Sequence, residues 1–238
     1  MREAGRVVHE VLCKLACAAQ PGNTTLELDR LAEDVARKRR ARPAFKGYLG
    51  FPRSLCASIN HEVVHGIPLG NRILAEGDLL KLDFGAVVDG FYGDAAVTVA
   101  VGKISRAARR LLEATSEALD AAIAHARAGS RVSDLAAAVQ GHVEPRGYSV
   151  VREFVGHGIG RALHEPPQVP NFRCAGGADP RLEVGMVLAI EPMVNAGGWK
   201  TEVLADRWTA VTADRSLSAH FEHSVAITAA GPEILTAE

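Results

Sequence analysis

The chain has 238 residues, 47% of them apolar and 23% charged, with a formal net charge of −1. That is ample apolar material for a buried core in one or two domains, and too little charge imbalance to draw nucleic acid or an anionic membrane. No apolar run reaches the roughly 18 residues that a membrane-spanning helix needs. Cys13, Cys17, Cys56 and Cys174 show no CxxC spacing; free thiols in a reducing cytoplasm are the expectation.

Residues 2–19 place Val7, Val8, Val11, Leu12, Leu15 and Ala16 at helical spacing, with charges interleaved, so they predict an amphipathic helix and not a signal peptide. Pro21-Gly22 ends it, and Thr24 or Thr25 can cap a second helix that runs into the basic cluster 37–42 before Pro43. That cluster is a solvated helix end or a contact for RNA or a ribosome surface. Gly47, Gly50 and Pro52 mark a loop, LCASI reads as a short buried strand, and His61 and His65 flank an apolar trio before Gly66-Ile67-Pro68.

The stretch 79–101, LLKLDFGAVVDGFYGDAAVTVAV, reads as two apolar, β-branched runs joined at Asp89-Gly90, a dipeptide suited to a tight hairpin turn. With a two-residue turn, Val88 faces Phe91 and Asp83 faces Ala96, so Asp94 lies diagonal to Asp83 on the same face. Two carboxylates this close in apolar strands call for a positive partner; the alternative is solvation at a strand end.

The layout then recurs. Residues 106–126 predict another amphipathic helix, 128–130 a break and 133–144 a second helix, and aligning Gly22 with Gly129 also matches Glu27 with Asp134 and Leu28 with Leu135. This predicts an α+β fold of duplicated halves, about 1–102 and 103–238, with helices over one face of a bent antiparallel sheet and a shared cleft. In the second half, His157 stands between glycines, where a loop can bring it to a ligand, and His164 follows. MVLAIEPMV (186–194) reads as one strand carrying Glu191, and AHFEHSVAIT (219–228) as another carrying His220, Glu222 and His223.

A carboxylate inside an apolar strand is costly unless it is paired, protonated or bound to metal, and the pattern occurs at Asp83, Asp94, Glu191 and Glu222. Their charge of about −4 would balance two divalent ions with a bridging hydroxide; with one imidazole the set suits manganese, iron(II) or cobalt, with zinc still open. Two metals about 3.5–4 Å apart activate a water and polarise a carbonyl, which is hydrolytic chemistry.

The ordered motifs HGIP (65–68), LDFG and DGFYGDAAVT (82–98), GHGIGRALHEPP (156–167), IEPMV (190–194) and DRSLSAHFEHSVAIT (214–228) resemble those of the type I methionine aminopeptidases of metallopeptidase family M24. The resemblance runs from about residue 3 to the C-terminus and implies the pita-bread fold, a pseudo-twofold duplication in a single catalytic domain. It implies that Asp83, Asp94, His157, Glu191 and Glu222 ligate two divalent metals, with Asp94 and Glu222 bridging. It further implies that Glu191 handles the proton of the nucleophilic water, that His65 contacts the substrate backbone and that His164 stabilises the oxyanion. The family's methionine pocket maps onto Tyr48, Phe51, Cys56, Leu163 and Trp208, with Phe45 at its rim; for Cys56 and Leu163 ordinary core packing is an equal reading. Leu163 and Arg207 depart from the residues common there, an aromatic and a glycine.

The resemblance also implies a cytoplasmic, monomeric enzyme. Such an enzyme removes the initiator methionine from nascent chains with a small second residue, with a transient ribosome contact and no nucleic-acid or membrane partner. Xaa-Pro aminopeptidases and prolidases share the site but carry a large N-terminal domain for which the chain has no room. Type II methionine aminopeptidases carry a helical insertion that the 157–222 stretch is too short to hold. A non-catalytic binding protein on the same scaffold is disfavoured, because all five ligand positions are filled.

Overall fold

A computed structural model describes residues 1–174, 176 and 179–237. The chain runs α1 (Arg2–Ala18), α2 (Thr25–Lys38), β1 (Arg42–Pro43), β2 (Cys56–Ile59), β3 (Glu62–Val64), β4 (Leu79–Val88) and β5 (Phe91–Ala100). It continues through α3 (Arg106–His125), α4 (Val132–Val143), β6 (Ser149–Val150), β7 (Gly156–Gly158), β8 (Glu165–Val169), β9 (Val187–Ile190) and β10 (Met193–Asn195). It ends with β11 (Thr201–Val203), β12 (Ala210–Thr212), β13 (Ser218–His220), β14 (Glu222–Thr228) and β15 (Gly231–Ile234).

The main antiparallel sheet has the order β1-β4-β5-β14-β9-β7-β8, with β2 also on β4 and β15 on β14. Two three-stranded sheets, β13-β10-β6 and β11-β12-β3, flank it. Strand alternation then sorts β4. Leu80, Leu82, Phe84 and Ala86 pack on α1 and α2 through Val7, Val11, Leu28 and Val35, which leaves Lys81, Asp83 and Gly85 on the opposite, concave face. In the second half α3 and α4 pack, through Leu111, Leu119, Leu135 and Val139, on Leu188 and Ile190 of β9 and on Val225 and Ile227 of β14. None of the described helices is long and apolar enough to cross a membrane.

The halves repeat one local plan. Gly22 and Gly129, with φ of 93° and 91°, donate to Leu74 O and Leu182 O, and single antiparallel bridges tie Thr24 to Ile73 and Arg131 to Arg181. Glu27 accepts from the backbone N–H of Thr24, and Asp134 from that of Arg131, each at 2.7 Å. Each pairing fixes the first turn of a helix.

Three expectations need correction. Residues 186–194 and 219–228 are not continuous strands: the first breaks at Glu191-Pro192 and the second at Phe221, and the pieces enter different sheets. Pro192 has no N–H for a ladder; at the first break the chain leaves the main sheet for the β13-β10-β6 sheet, and at the second it enters the main sheet from that one. His157 lies in a strand and not in a loop. Its glycines serve close packing: a Cβ at Gly156 would lie 2.3 Å from Ala189 O, and one at Gly158 2.3 Å from Pro166 O. Finally, α2 ends at Lys38, and Arg42-Pro43 pair with Val87 and Ala86 as an edge strand.

Candidate metal centre and its pocket

The β4–β5 hairpin turns at Asp89 and Gly90, whose φ values of 49° and 78° suit a primed turn. Its register pairs Val88 with Phe91, Asp83 with Ala96 and Gly85 with Asp94, so the two aspartates are diagonal neighbours on the concave face, as expected. Ala96 also pairs with Glu222 across β5–β14. One small side chain thus stands between two carboxylates, and the space above it stays open. A Cβ at Gly85 would lie 3.3 Å from Asp94 Oδ1 and 2.9 Å from the Phe45 ring, so that glycine keeps room for both.

The second half supplies the rest. His157 Nδ1 lies 2.8 Å from Gly158 O; a carbonyl only accepts, so Nδ1 carries the proton and Nε2 presents a lone pair. That Nε2 is 3.6 Å from Glu191 Oε1, and one ligand atom from each of Asp94, His157 and Glu222 lies within 4.8 Å of the other two. Asp83 Oδ1, Asp94 Oδ1 and Glu222 Oε1 are enclosed without a hydrogen-bond partner.

Such enclosure favours the neutral acids. Burial raises Asp83, Glu191 and Glu222 well above the usual carboxylate range, with the other carboxylates adding to it, and pushes Asp94 up to about 7 against a lowering hydrogen bond from the Ala95 N–H. Burial, then the nearby His164, lowers His157 to about 4 and His65 to about 4. Orphaned oxygens crowded around one unprotonated imidazole nitrogen fit a divalent cation, which would supply the missing charge.

Beside the carboxylates lies a cavity of about 170 Å³ that the expected wall residues Phe45, Tyr48, Phe51, Cys56, Leu163 and Trp208 line, together with His65 and His164. Phe51 and Trp208 meet edge to face at 5.1 Å, and His65 stands edge-on to Phe154 and Trp208. Cys56 pairs in register with Asp83, which makes the pocket wall and the carboxylate cluster neighbours. Burial raises its thiol, so it offers an uncharged, polarizable surface. Tyr48 Oη lies 2.8 Å from His164 Nδ1. Arg207, where a glycine was the expected norm, adopts φ 66°, and the Asp206 carboxylate holds this turn by accepting from the Trp208 and Thr209 N–H groups at 2.9 Å.

All the expected site residues therefore converge, and others join them. His220, placed by sequence only on a strand, is 1% exposed and sets Nε2 3.6 Å from Glu191 Oε2. Ser224 accepts from Asp94 N–H at 3.0 Å and donates to Asp94 O at 2.7 Å. Glu165 accepts from Arg161 and Ala162 N–H at 2.7 and 2.8 Å, shaping the loop that presents His164. The only sequence signal for these was their position inside the motifs.

A family model described as metallopeptidase family M24 matches residues 1–229. The chain is 51% identical over 236 residues to a methionine aminopeptidase of Clostridium acetobutylicum, covering 99% of this chain and 94% of that protein. It is also 51% identical over 239 residues to methionine aminopeptidase 1 of Bacillus subtilis, with the same coverage. The crystal structure of a methionine aminopeptidase from Thermotoga maritima superposes with a TM-score of 0.97 at 45% identity, over 100% of this chain and 95% of that one. A prolidase from Pyrococcus furiosus shares the fold at 21% identity and TM-score 0.80, this chain spanning 63% of it.

Proposed function

Because the chain belongs to metallopeptidase family M24, we infer that it is a metal-dependent methionine aminopeptidase whose single catalytic domain, in halves of about 1–102 and 103–238, releases the initiator methionine from chains with a small second residue. The observation that carries this reading is the enclosed cluster of orphaned carboxylate oxygens opening onto a pocket walled by aromatic rings and a neutral thiol, which suits a thioether side chain. Relatives named for this activity, about half identical over the whole chain, support it.

In this reading Asp83, Asp94, His157, Glu191 and Glu222 would hold two divalent ions (cobalt, manganese, iron(II) or zinc). When bound, the pair would acidify a water and polarise the scissile carbonyl. The residues do the rest. Glu191 takes the proton of the attacking water and returns it to the leaving amine, a role that suits a buried carboxyl whose proton affinity is raised. His65 contacts the substrate backbone, and His164 donates a hydrogen bond to the oxygen that gains charge. The protein acts as a cytoplasmic monomer on nascent chains, with a transient ribosome contact.

To test this, the protein is dialysed against a chelator, Mn²⁺ or Co²⁺ is restored, and a Met-Ala-Ser peptide is followed. Metal-dependent release of methionine is expected. Its absence sinks the reading, and release of the first residue from Xaa-Pro peptides instead would make the chain a prolidase-type enzyme.

A further inference from the structure

His157 and His164 stand with ring centroids 4.1 Å apart, yet their outer nitrogens meet different partners. Gly158 O, an obligate acceptor, fixes the proton of His157 on Nδ1. His164 Nδ1 instead meets the phenol of Tyr48 at 2.8 Å. A phenol can donate or accept. A phenol O–H is intrinsically a far stronger acid than a neutral imidazole N–H, and an imidazole nitrogen is far more basic than a phenol oxygen. The stronger bond therefore runs from Tyr48 O–H to Nδ1, which leaves the proton of neutral His164 on Nε2.

We propose that Tyr48 is a positioning residue that holds His164 in the Nε2–H tautomer, so that beside a lone-pair imidazole at His157 the cleft also holds a neutral hydrogen-bond donor. Without the phenol, a neutral His164 ring would be free to turn a bare nitrogen toward the substrate. The backbone around Tyr48 is consistent with a placed side chain. Gly47, Leu49 and Gly50 have φ of 86°, 49° and 89°, and a left-handed leucine is a strained choice that persists only where its surroundings require it. Leu49 is itself 80% exposed, so its own packing does not account for the strain.

This inference rests on the aminopeptidase reading for its kinetic arm alone. The variant is Tyr48→Phe, which keeps the ring against the pocket and removes the hydroxyl. In the Zn²⁺-loaded protein, ¹⁵N–¹H correlation spectra of the imidazoles should show His164 protonated at Nε2 in the wild type and as a tautomer mixture in the variant. In the Mn²⁺-loaded enzyme, Tyr48→Phe should lower kcat about tenfold with KM unchanged, short of the 10²–10³-fold typical of deleting an oxyanion donor and expected for His164→Ala. On the His164→Ala background, Tyr48→Phe should cost nothing more. A wild-type His164 protonated at Nδ1, or a variant whose tautomer and kcat both match the wild type, overturns the proposal. A change in KM alone would make Tyr48 a pocket wall and overturn it equally. If the wild type releases no methionine, the aminopeptidase reading fails while the spectra still decide the tautomer.

Discussion

Asp94 is the residue on which the site's chemistry is most exposed to test. Burial lifts its carboxyl to about 7, so in metal-free protein it holds its proton until near neutrality, and an incoming cation must displace it. A carboxyl raised above its unfolded value of 3.8 contributes stability below that value and loses it as pH rises through about 7. Asp83, Glu191 and Glu222 shift in the same direction. The thermal shift produced by Mn²⁺ should therefore grow from pH 6 to pH 8. The increment is the quantity to measure, because burial lowers the Lys81 ammonium to about 7, and a lowered lysine makes absolute stability rise with pH above that point. Asp94→Asn should remove the increment at every pH and abolish methionine release; full activity in that variant would refute its role as a ligand.

At the scale of elements, most of the site follows from strands whose register was legible and from two whose course was not. Asp89-Gly90 fixes the β4–β5 register locally, so the Asp83–Asp94 diagonal could be read from a dipeptide and the period of a strand. Glu191 and Glu222 were recognisable as costly carboxylates, yet apolar runs on either side disguised the breaks at Pro192 and Phe221; Pro192 was the one available warning. His220 and Ser224 gain their contacts from elements far away in the chain, and no local pattern encodes such a meeting. The glycines of GHG were legible as unusual, but their reason is the crowding of β7 between β8 and β9. Gly158→Ala should therefore act through packing: its Cβ would meet Pro166 O at 2.3 Å and Glu165 O at 2.8 Å, displacing the strand that carries His157. A loss of about 1–3 kcal/mol in urea unfolding of the metal-free protein, together with weaker Mn²⁺ binding, is expected; unchanged metal affinity would separate β7 from the site.

For the whole molecule, what matters is how the two halves are joined. Along the main sheet β5 and β14 pair only at Ala95–His223 and Ala96–Glu222. Beyond that ladder, side chains carry the junction: Ser224 bonds both backbone groups of Asp94, Thr98 does the same for His220 at 2.7 and 2.9 Å, and Lys81 donates to Ser218 O. The carboxylates meet at this same junction, Asp83 and Asp94 from one side and Glu191 and Glu222 from the other. Without a cation, oxygens of Asp83, Asp94 and Glu222 stay buried at the joint without partners; with one, ligands from both sides would share it, and binding to the folded state adds stability by mass action. Chelation should thus speed amide hydrogen exchange first at 94–98 and 218–224, leaving the interiors of α1 and α3 protected, since those helices pack on the far face of the sheet within their own halves. Ser224→Ala, which leaves the Asp94 backbone groups without their partner, should produce part of the same pattern even with metal bound. Loss of protection spread evenly over the chain on chelation would mean that the cations stabilise the fold globally and not through this seam.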